Sequence, residues 1–216
     1  MSTEASLGEL SRAQQIASAR GALLAVAPPE QLLAERDDDA RPALVVVGAK
    51  HDGWFGGFLA EHAQASLRCP VLQVRDGSCR RYSHLVLATD VESALGEMLT
   101  AARFVAPELP ALFLHAYDNP FEAMLRLNGA SQAAVAHYRR EAEKAARERV
   151  RAHMERWHLR DAPLRLVHGA PRFVLKRVPR RALLVIHRGR SRLKHMLFGS
   201  VTHWALEESG CDVLVV

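Results

Sequence analysis

Five short apolar runs mark the chain from residue 84 onward, and longer segments of mixed polarity separate them. Such a run predicts a buried strand, and strands that are apolar throughout are typical of a parallel sheet covered on both faces. The intervening segments predict the covering helices. We therefore expect an α/β fold: a Rossmann-like, doubly wound parallel sheet of five strands. The predicted strands lie at 84–90, 111–118, 164–169, 182–186 and 211–216.

The predicted helices lie at 92–105, at about 131–157 and at 173–178, and another opens at Gly199. The clearest is 131–157, where apolar residues recur at steps of three and four and so share one face. Charged residues occupy the opposite face, which predicts a solvated surface. The apolar positions are Val135, Tyr138, Ala142, Ala146, Val150, Met154 and Trp157.

Two segments of the chain, 43–74 and 182–216, are similar to each other. Each consists of an apolar strand, a glycine-bearing loop, a helix and a second strand that follows a cysteine. Aligned from Gly57 and Gly199, both run without a gap to a terminal valine. This similarity indicates a repeated unit.

The first copy of the unit is short. Residues 6–20 and 29–38 predict helices and 23–26 a short strand, but no residues remain for the elements that open the second copy. We therefore expect a truncated half domain at 1–76 and a complete domain at 80–216. Half a unit cannot cover both faces of a full sheet, so we predict that it docks on the complete domain or on a partner chain.

Composition and charge exclude several classes of function. The 216 residues are 49% hydrophobic and 25% charged, as in soluble globular proteins, and no apolar run approaches the roughly 20 residues that cross a bilayer. The first residues lack a secretory signal, so we expect a cytoplasmic protein. The net charge of +5 is spread along the chain without a nucleic-acid motif, and three widely spaced cysteines predict neither disulfides nor a zinc site.

The loop before the final helix carries the candidate chemistry. Gly189 follows the fourth strand, nine residues intervene, and Gly199 and Ser200 open a helix. A helix N-terminus offers unpaired N–H groups to an anion, and glycine lets the backbone approach it closely. Ser200 is expected to cap the helix and to donate its hydroxyl, while Arg190 adds positive charge. The loop therefore predicts a phosphate site.

Catalysis and metal binding are not predicted. His187 and His195 lie in this loop, but without paired carboxylates or a defined base they favour a phosphate-steering role over phosphoryl transfer. His51, Asp52 and His62 have no spacing that fixes a metal geometry. We expect no enzyme, with a weak ATPase activity left open.

At these motifs the sequence resembles the universal stress protein family. The matching pieces are ATDVES after the first strand, LFLHAYD in the second, and GRSRLKHMLFGSV followed by CDVLVV at the end. The resemblance covers 82–216 as a complete domain and, more weakly, 6–75. It implies an adenine nucleotide alpha hydrolase-like fold, a stress-response role, and binding of ATP or another adenine nucleotide, with or without magnesium.

The resemblance also implies binding residues in the second domain. From the residues alone, Asp90 also suits a cap on the following helix, but the family pattern favours a binding role. The implied residues are Asp90 by the adenine, Ala116 beside the base, Val185 at the end of the fourth strand, and Gly189, Gly199, Ser200 and Val201 around the ribose and phosphates, with Arg190 in the same loop.

The sequence departs from the family pattern at Ile186, where the family has the first glycine of Gly-x-x-Gly. A branched side chain there would crowd the ligand, so an alternative stays open: a protein-interaction module of the same fold without nucleotide. In the first copy, the loop after Gly48 is one residue shorter and Phe58 replaces the serine, which predicts a structural role. Family members commonly pair through their last strands, which implies Val213–Val216 and Val71–Val74 as interface strands, in a homodimer or within one chain.

Overall fold

A computed structural model describes residues 7–28, 42–49, 60, 63–64, 66–75, 81–188 and 199–216. The predicted helix at 29–38 lies outside them. The strands are β1 (Val45–Gly48), β2 (Val71–Val74), β3 (His84–Ala88), β4 (Ala111–Tyr117), β5 (Leu164–His168), β6 (Ala182–Ile186) and β7 (Asp212–Val215). The helices are α1 (Leu7–Arg20), α2 (Leu95–Val105), α3 (Glu122–Leu127), α4 (Gln132–Glu155), α5 (Pro171–Leu175) and α6 (Ser200–Glu208).

One mostly parallel sheet runs through the molecule in the order β1-β2-β7-β6-β3-β4-β5. Strands β3 to β7 pair in parallel throughout, so the predicted five-stranded parallel sheet is confirmed. Strand β2 joins this sheet antiparallel to β7, with Leu72 opposite Leu214, and β1 pairs in parallel with β2. The five-stranded sheet is therefore extended to seven strands by the N-terminal segment.

Two apolar layers cover the sheet, one on each face. On the first face, α5, α6 and helical residues between 60 and 67 pack against side chains such as Val86, Leu184 and Val213. On the second face, α1, α2 and α4 pack against alternate positions such as Leu85 and Leu183. Alternate residues of a strand point to opposite faces, so both faces must be apolar. That requirement explains the continuous apolar runs.

A buried polar cluster joins the N-terminal segment to β7. The carboxylate of Asp212 accepts hydrogen bonds from the Tyr82 hydroxyl at 2.7 Å and from the backbone N–H of Arg75 at 2.8 Å. The guanidinium of Arg12 lies 3.7 Å from the same carboxylate and 4.2 Å from the centre of the Tyr82 ring. Burial raises the pKa of Asp212, although these partners oppose the shift. Segments far apart in sequence thus meet at one carboxylate.

The structure corrects several predictions of secondary structure and burial. Residues 23–26 form no strand, and Leu23 is fully exposed, because no strand among the described residues pairs with this segment. Helix α3 was not predicted; it follows Pro120 and buries none of its residues. Trp157 was expected in the core, but it lies past the end of α4 and is 37% exposed. Of the helices that the structure describes, none has the length and apolar character of a membrane span.

Candidate functional site

A cavity of about 950 Å³ opens at the carboxyl ends of β3, β4 and β6. Its walls also include the first turn of α6, part of α5 and the end of α4. Ligand sites of open α/β sheets lie outside the carboxyl ends of the strands, so the cavity stands where the fold predicts one. The residues expected to bind a ligand that line it are Asp90, Ala116, Gly199, Ser200 and Val201.

Asp90 organises the turn that follows β3. One oxygen of its carboxylate accepts hydrogen bonds from the Glu92 N–H at 2.9 Å and from the Ser93 hydroxyl at 2.8 Å. The cap position of α2 is Ala94, without a side-chain hydrogen bond, so Asp90 caps the turn and not the helix. Asp90 is exposed and belongs to the cavity wall. Its second carboxylate oxygen accepts no hydrogen bond from the described residues and is therefore available to a ligand.

The end of β6 differs from the expected arrangement. Val185 was assigned to the site, but its side chain is fully buried against the α2 and α4 face and does not line the cavity. Strand alternation places Ile186 at the cavity instead. Ile186 is only 4% exposed and packs into the opposite core layer with Val174 and Ala205. The isoleucine therefore forms part of the wall, and the cavity stays open beside it.

The first turn of α6 forms the end of the cavity that suits an anion. Gly199 is the N-cap residue of this nine-residue helix. Ser200 is therefore its first helical residue and, contrary to the expectation, does not cap it. Ser200 is exposed, while the buried Thr202 hydroxyl donates to the His187 carbonyl at 3.4 Å. The first N–H groups of a helix have no partner within the helix and point toward its start, where an anion can accept hydrogen bonds from them. Gly189 and Arg190 lie outside the described residues.

The end of α4 forms a wall that the sequence did not predict as part of the site. His153 is 5% exposed, and its Nε2 lies 2.8 Å from the carbonyl oxygen of Ser93, which ties α4 to the Asp90 turn. The Trp157 ring lies on Gly96 of α2, where a Cβ atom would be 2.6 Å from two ring carbons. The signal available in the sequence was weak: His153 follows Val150 by three residues on the apolar face of the helix.

Cation-binding groups are sparse in the described part of the chain. It contains no group of three or more histidine, cysteine, aspartate or glutamate side chains arranged to hold a metal ion. The weak candidates His51, Asp52 and His62 lie outside the described residues. The site therefore offers a helix start, one carboxylate turn and a wall that mixes apolar side chains with histidines and other polar ones, which suits an organic anion with an apolar part.

Gly48, at the end of β1, has a different environment from the start of α6. The side-chain carboxylate of Glu9 occupies the space where a Cβ atom on Gly48 would lie. The Glu9 carboxylate therefore already occupies the space beside this glycine.

Comparisons with solved structures identify similar folds. A protein of unknown function from Pseudomonas aeruginosa PAO1 superposes with a TM-score of 0.56 at 16% identity, over 100% of this chain and 79% of that one. A putative universal stress protein from P. aeruginosa UCBPP-PA14 gives 0.55 at 16% identity, over 100% and 80%. A universal stress protein in complex with cAMP gives 0.37 at 25% identity, over 63% and 98%. No curated protein sequence matches significantly.

The decisive match is to a sequence family. The model of the universal stress protein family matches residues 82–216, which contain β3 to β7, the cavity and the Asp90 turn. The first two structural similarities support the same fold. The chain belongs to the universal stress protein family.

Proposed function

We propose that this protein acts in the stress response as a ligand-sensing module that binds ATP or another adenine nucleotide in the cavity. In this proposal the phosphates bind at the first turn of α6, and the base lies toward β4. Family membership supports the stress-response role. The observation that carries the nucleotide proposal is the open cavity of about 950 Å³ with a helix start at one end and Ile186 in its wall.

The test uses Ser200, which is exposed and begins α6. Ser200→Asp places a negative charge where the phosphates are expected, yet a carboxylate in the first helical turn favours the helix, so folding is preserved. Ser200→Asn is the neutral control of the same size. We expect wild-type protein to bind ATP in calorimetry, Ser200→Asp to weaken binding by about tenfold or more, and Ser200→Asn to change it by less than about threefold.

The titration is run with and without magnesium, and with cyclic AMP and GTP for comparison. A thermal shift assay of each variant verifies that folding is unchanged. If wild-type protein shows no heat and no thermal shift at millimolar ATP, the nucleotide proposal is wrong. Equal binding by Ser200→Asp and wild type would place the phosphates elsewhere.

A second candidate function is a protein-interaction module whose cavity takes no nucleotide. The observation that favours it is the apolar surface of α3 and the residue before it, where Phe121 is 58%, Met124 54% and Leu127 87% exposed. Exposed apolar side chains in one place are typical of interaction surfaces. Absence of nucleotide binding in the titration would favour this candidate.

We also propose that residues 1–76 hold a partial copy of the same unit and that the last strand of this copy pairs within the chain. Leu72 lies directly opposite Leu214, the residue with which it aligns in the repeat. Pairing of equivalent residues across an antiparallel join supports a local twofold relation between the two segments. Because β2 occupies the edge of β7, a homodimer through Val213–Val216 would require the N-terminal segment to leave.

A further inference from the structure

His115 has one ring nitrogen fixed and the other available. Its Nδ1 lies 2.7 Å from the backbone carbonyl oxygen of Thr89. A carbonyl only accepts hydrogen bonds, so Nδ1 carries the proton, and in the neutral ring Nε2 is then an acceptor. The hydrogen bond to Thr89 thus assigns the tautomer and aims an acceptor nitrogen away from the turn.

The Nε2 atom of His115 is open to a ligand. No described residue forms a hydrogen bond with it, and the half-buried ring lines the cavity. His153 differs, because its unpartnered Nδ1 is sealed from solvent. Of these two imidazoles, only that of His115 presents a reachable acceptor.

The position of His115 in the sheet places it at the end of the cavity away from α6. The sheet order is β6, β3, β4, and His115 is near the carboxyl end of β4. Neighbouring strands are about 4.8 Å apart, so β4 and β6 are separated by roughly 10 Å. A nucleotide whose phosphates meet α6 beyond β6 therefore extends its base toward β4.

Resting on the nucleotide site proposed above, we propose that His115 is a specificity-determining residue whose Nε2 accepts a hydrogen bond from the exocyclic amino group of adenine. Guanine carries a carbonyl oxygen at the corresponding ring position. Two acceptors would then face each other, and a buried acceptor left without a donor is costly. The single interaction would favour adenine and disfavour guanine, as expected where a site hydrogen-bonds one ligand group.

The variant His115→Asn separates the two functions of the ring. The asparagine side-chain N–H takes the place of Nδ1–H and can still donate to Thr89, but no atom takes the place of Nε2. A purely anchoring role of His115 would leave the ligand preference unchanged. The readout is therefore a ratio of affinities and not an affinity alone.

Calorimetry compares ATP with purine riboside triphosphate, which lacks the amino group, in wild type and in His115→Asn. We expect wild type to prefer ATP by about tenfold, the value of one hydrogen bond, and His115→Asn to bind both ligands alike. A preference that persists in the variant, or that is absent in wild type, overturns the inference. The 3′-deoxy analogue of ATP forms a third arm. If the preference for ATP over this analogue disappears in His115→Asn while the preference for ATP over purine riboside triphosphate remains, His115 contacts the sugar and the base assignment is wrong.

Failure of the two proposals is distinguishable. If wild type binds neither ATP nor the analogue, the nucleotide site itself is wrong and the inference falls with it. If wild type binds both equally, the nucleotide site stands and the role of His115 is wrong.

Discussion

The hydroxyl of Tyr82 provides a direct test of the buried cluster around Asp212. Tyr82→Phe removes the hydrogen bond of 2.7 Å to the carboxylate and keeps the ring on which the Arg12 guanidinium lies. A hydrogen bond to a charged group contributes about 1.5–3 kcal/mol, and Asp212 is only 7% exposed, so water cannot readily replace the lost donor. We expect the free energy of unfolding to fall by about 1.5–3 kcal/mol, and Tm by roughly 3–12 °C for a chain of this size.

The effect of Tyr82→Phe should depend on pH. Burial raises the pKa of Asp212 above its ordinary value of 3.8, and the hydrogen bond from Tyr82 opposes that rise. Stability linked to protonation of Asp212 is full below the unfolded-state pKa and is lost as pH rises through the folded-state pKa. Without the hydroxyl the folded-state pKa of Asp212 rises further, so the variant loses more stability than wild type as the pH rises. Between pH 4 and pH 8, the difference between wild type and variant should therefore be smallest at the acid end and should grow as the pH rises.

Urea denaturation of both proteins across this pH range measures the difference. The matched control is Tyr138→Phe, since the Tyr138 hydroxyl has no hydrogen bond among the described residues and the ring is half-buried. We expect the control to change the unfolding free energy by less than about 0.5 kcal/mol. A Tyr82→Phe effect no larger than that of the control, or one that grows toward acid pH, would refute the assigned role of the cluster.

Two further predictions concern the α4 wall and the join between β2 and β7. Gly96→Ala should force the Trp157 ring aside, destabilise the fold by about 1–3 kcal/mol and shift tryptophan emission. The control Gly210→Ala should have none of these effects, because the nearest atom to its Cβ would be 3.7 Å away, and equal behaviour of the two variants would contradict the close packing. Because β2 fills the edge of β7, light scattering at tens of micromolar protein should give the monomer mass of 23.9 kDa, and a dimer mass would contradict the proposed self-contained pairing.

Strands β3, β6 and β7 were predictable because they are buried on both faces, which leaves a continuous apolar run in the sequence, whereas the edge strand β5 is partly exposed and its run is interrupted by Arg165. The same signal failed at 23–26, where four apolar residues have no strand to pair with and Leu23 stays exposed. Helix α3 escaped prediction because its six residues are too few to show a helical period, and it buries none of them. Local composition therefore reports a strand or helix reliably only where burial selects the pattern.

The candidate site was predictable where a motif stands at a strand end, as with Asp90, or at a helix start, as with Gly199. The family resemblance implied Val185, but a sequence motif does not show which face of β6 a residue occupies. The pleat of the strand places its neighbour Ile186 at the cavity. The α4 wall was not predictable, because His153 meets the carbonyl of a residue 60 positions earlier. Contacts of that range depend on how a helix crosses the sheet, which sequence spacing does not encode.

The reversal of direction between β2 and β7 has a consequence for the two glycine loops. Since β1 and β2 run opposite to the other five strands, their carboxyl ends point to the far rim of the sheet. Gly48 and Gly199 therefore belong to opposite rims, with the whole length of the strands between them. One ligand therefore cannot contact both glycines, and a conformational coupling between the two rims would have to cross the length of the sheet and the helices packed on it.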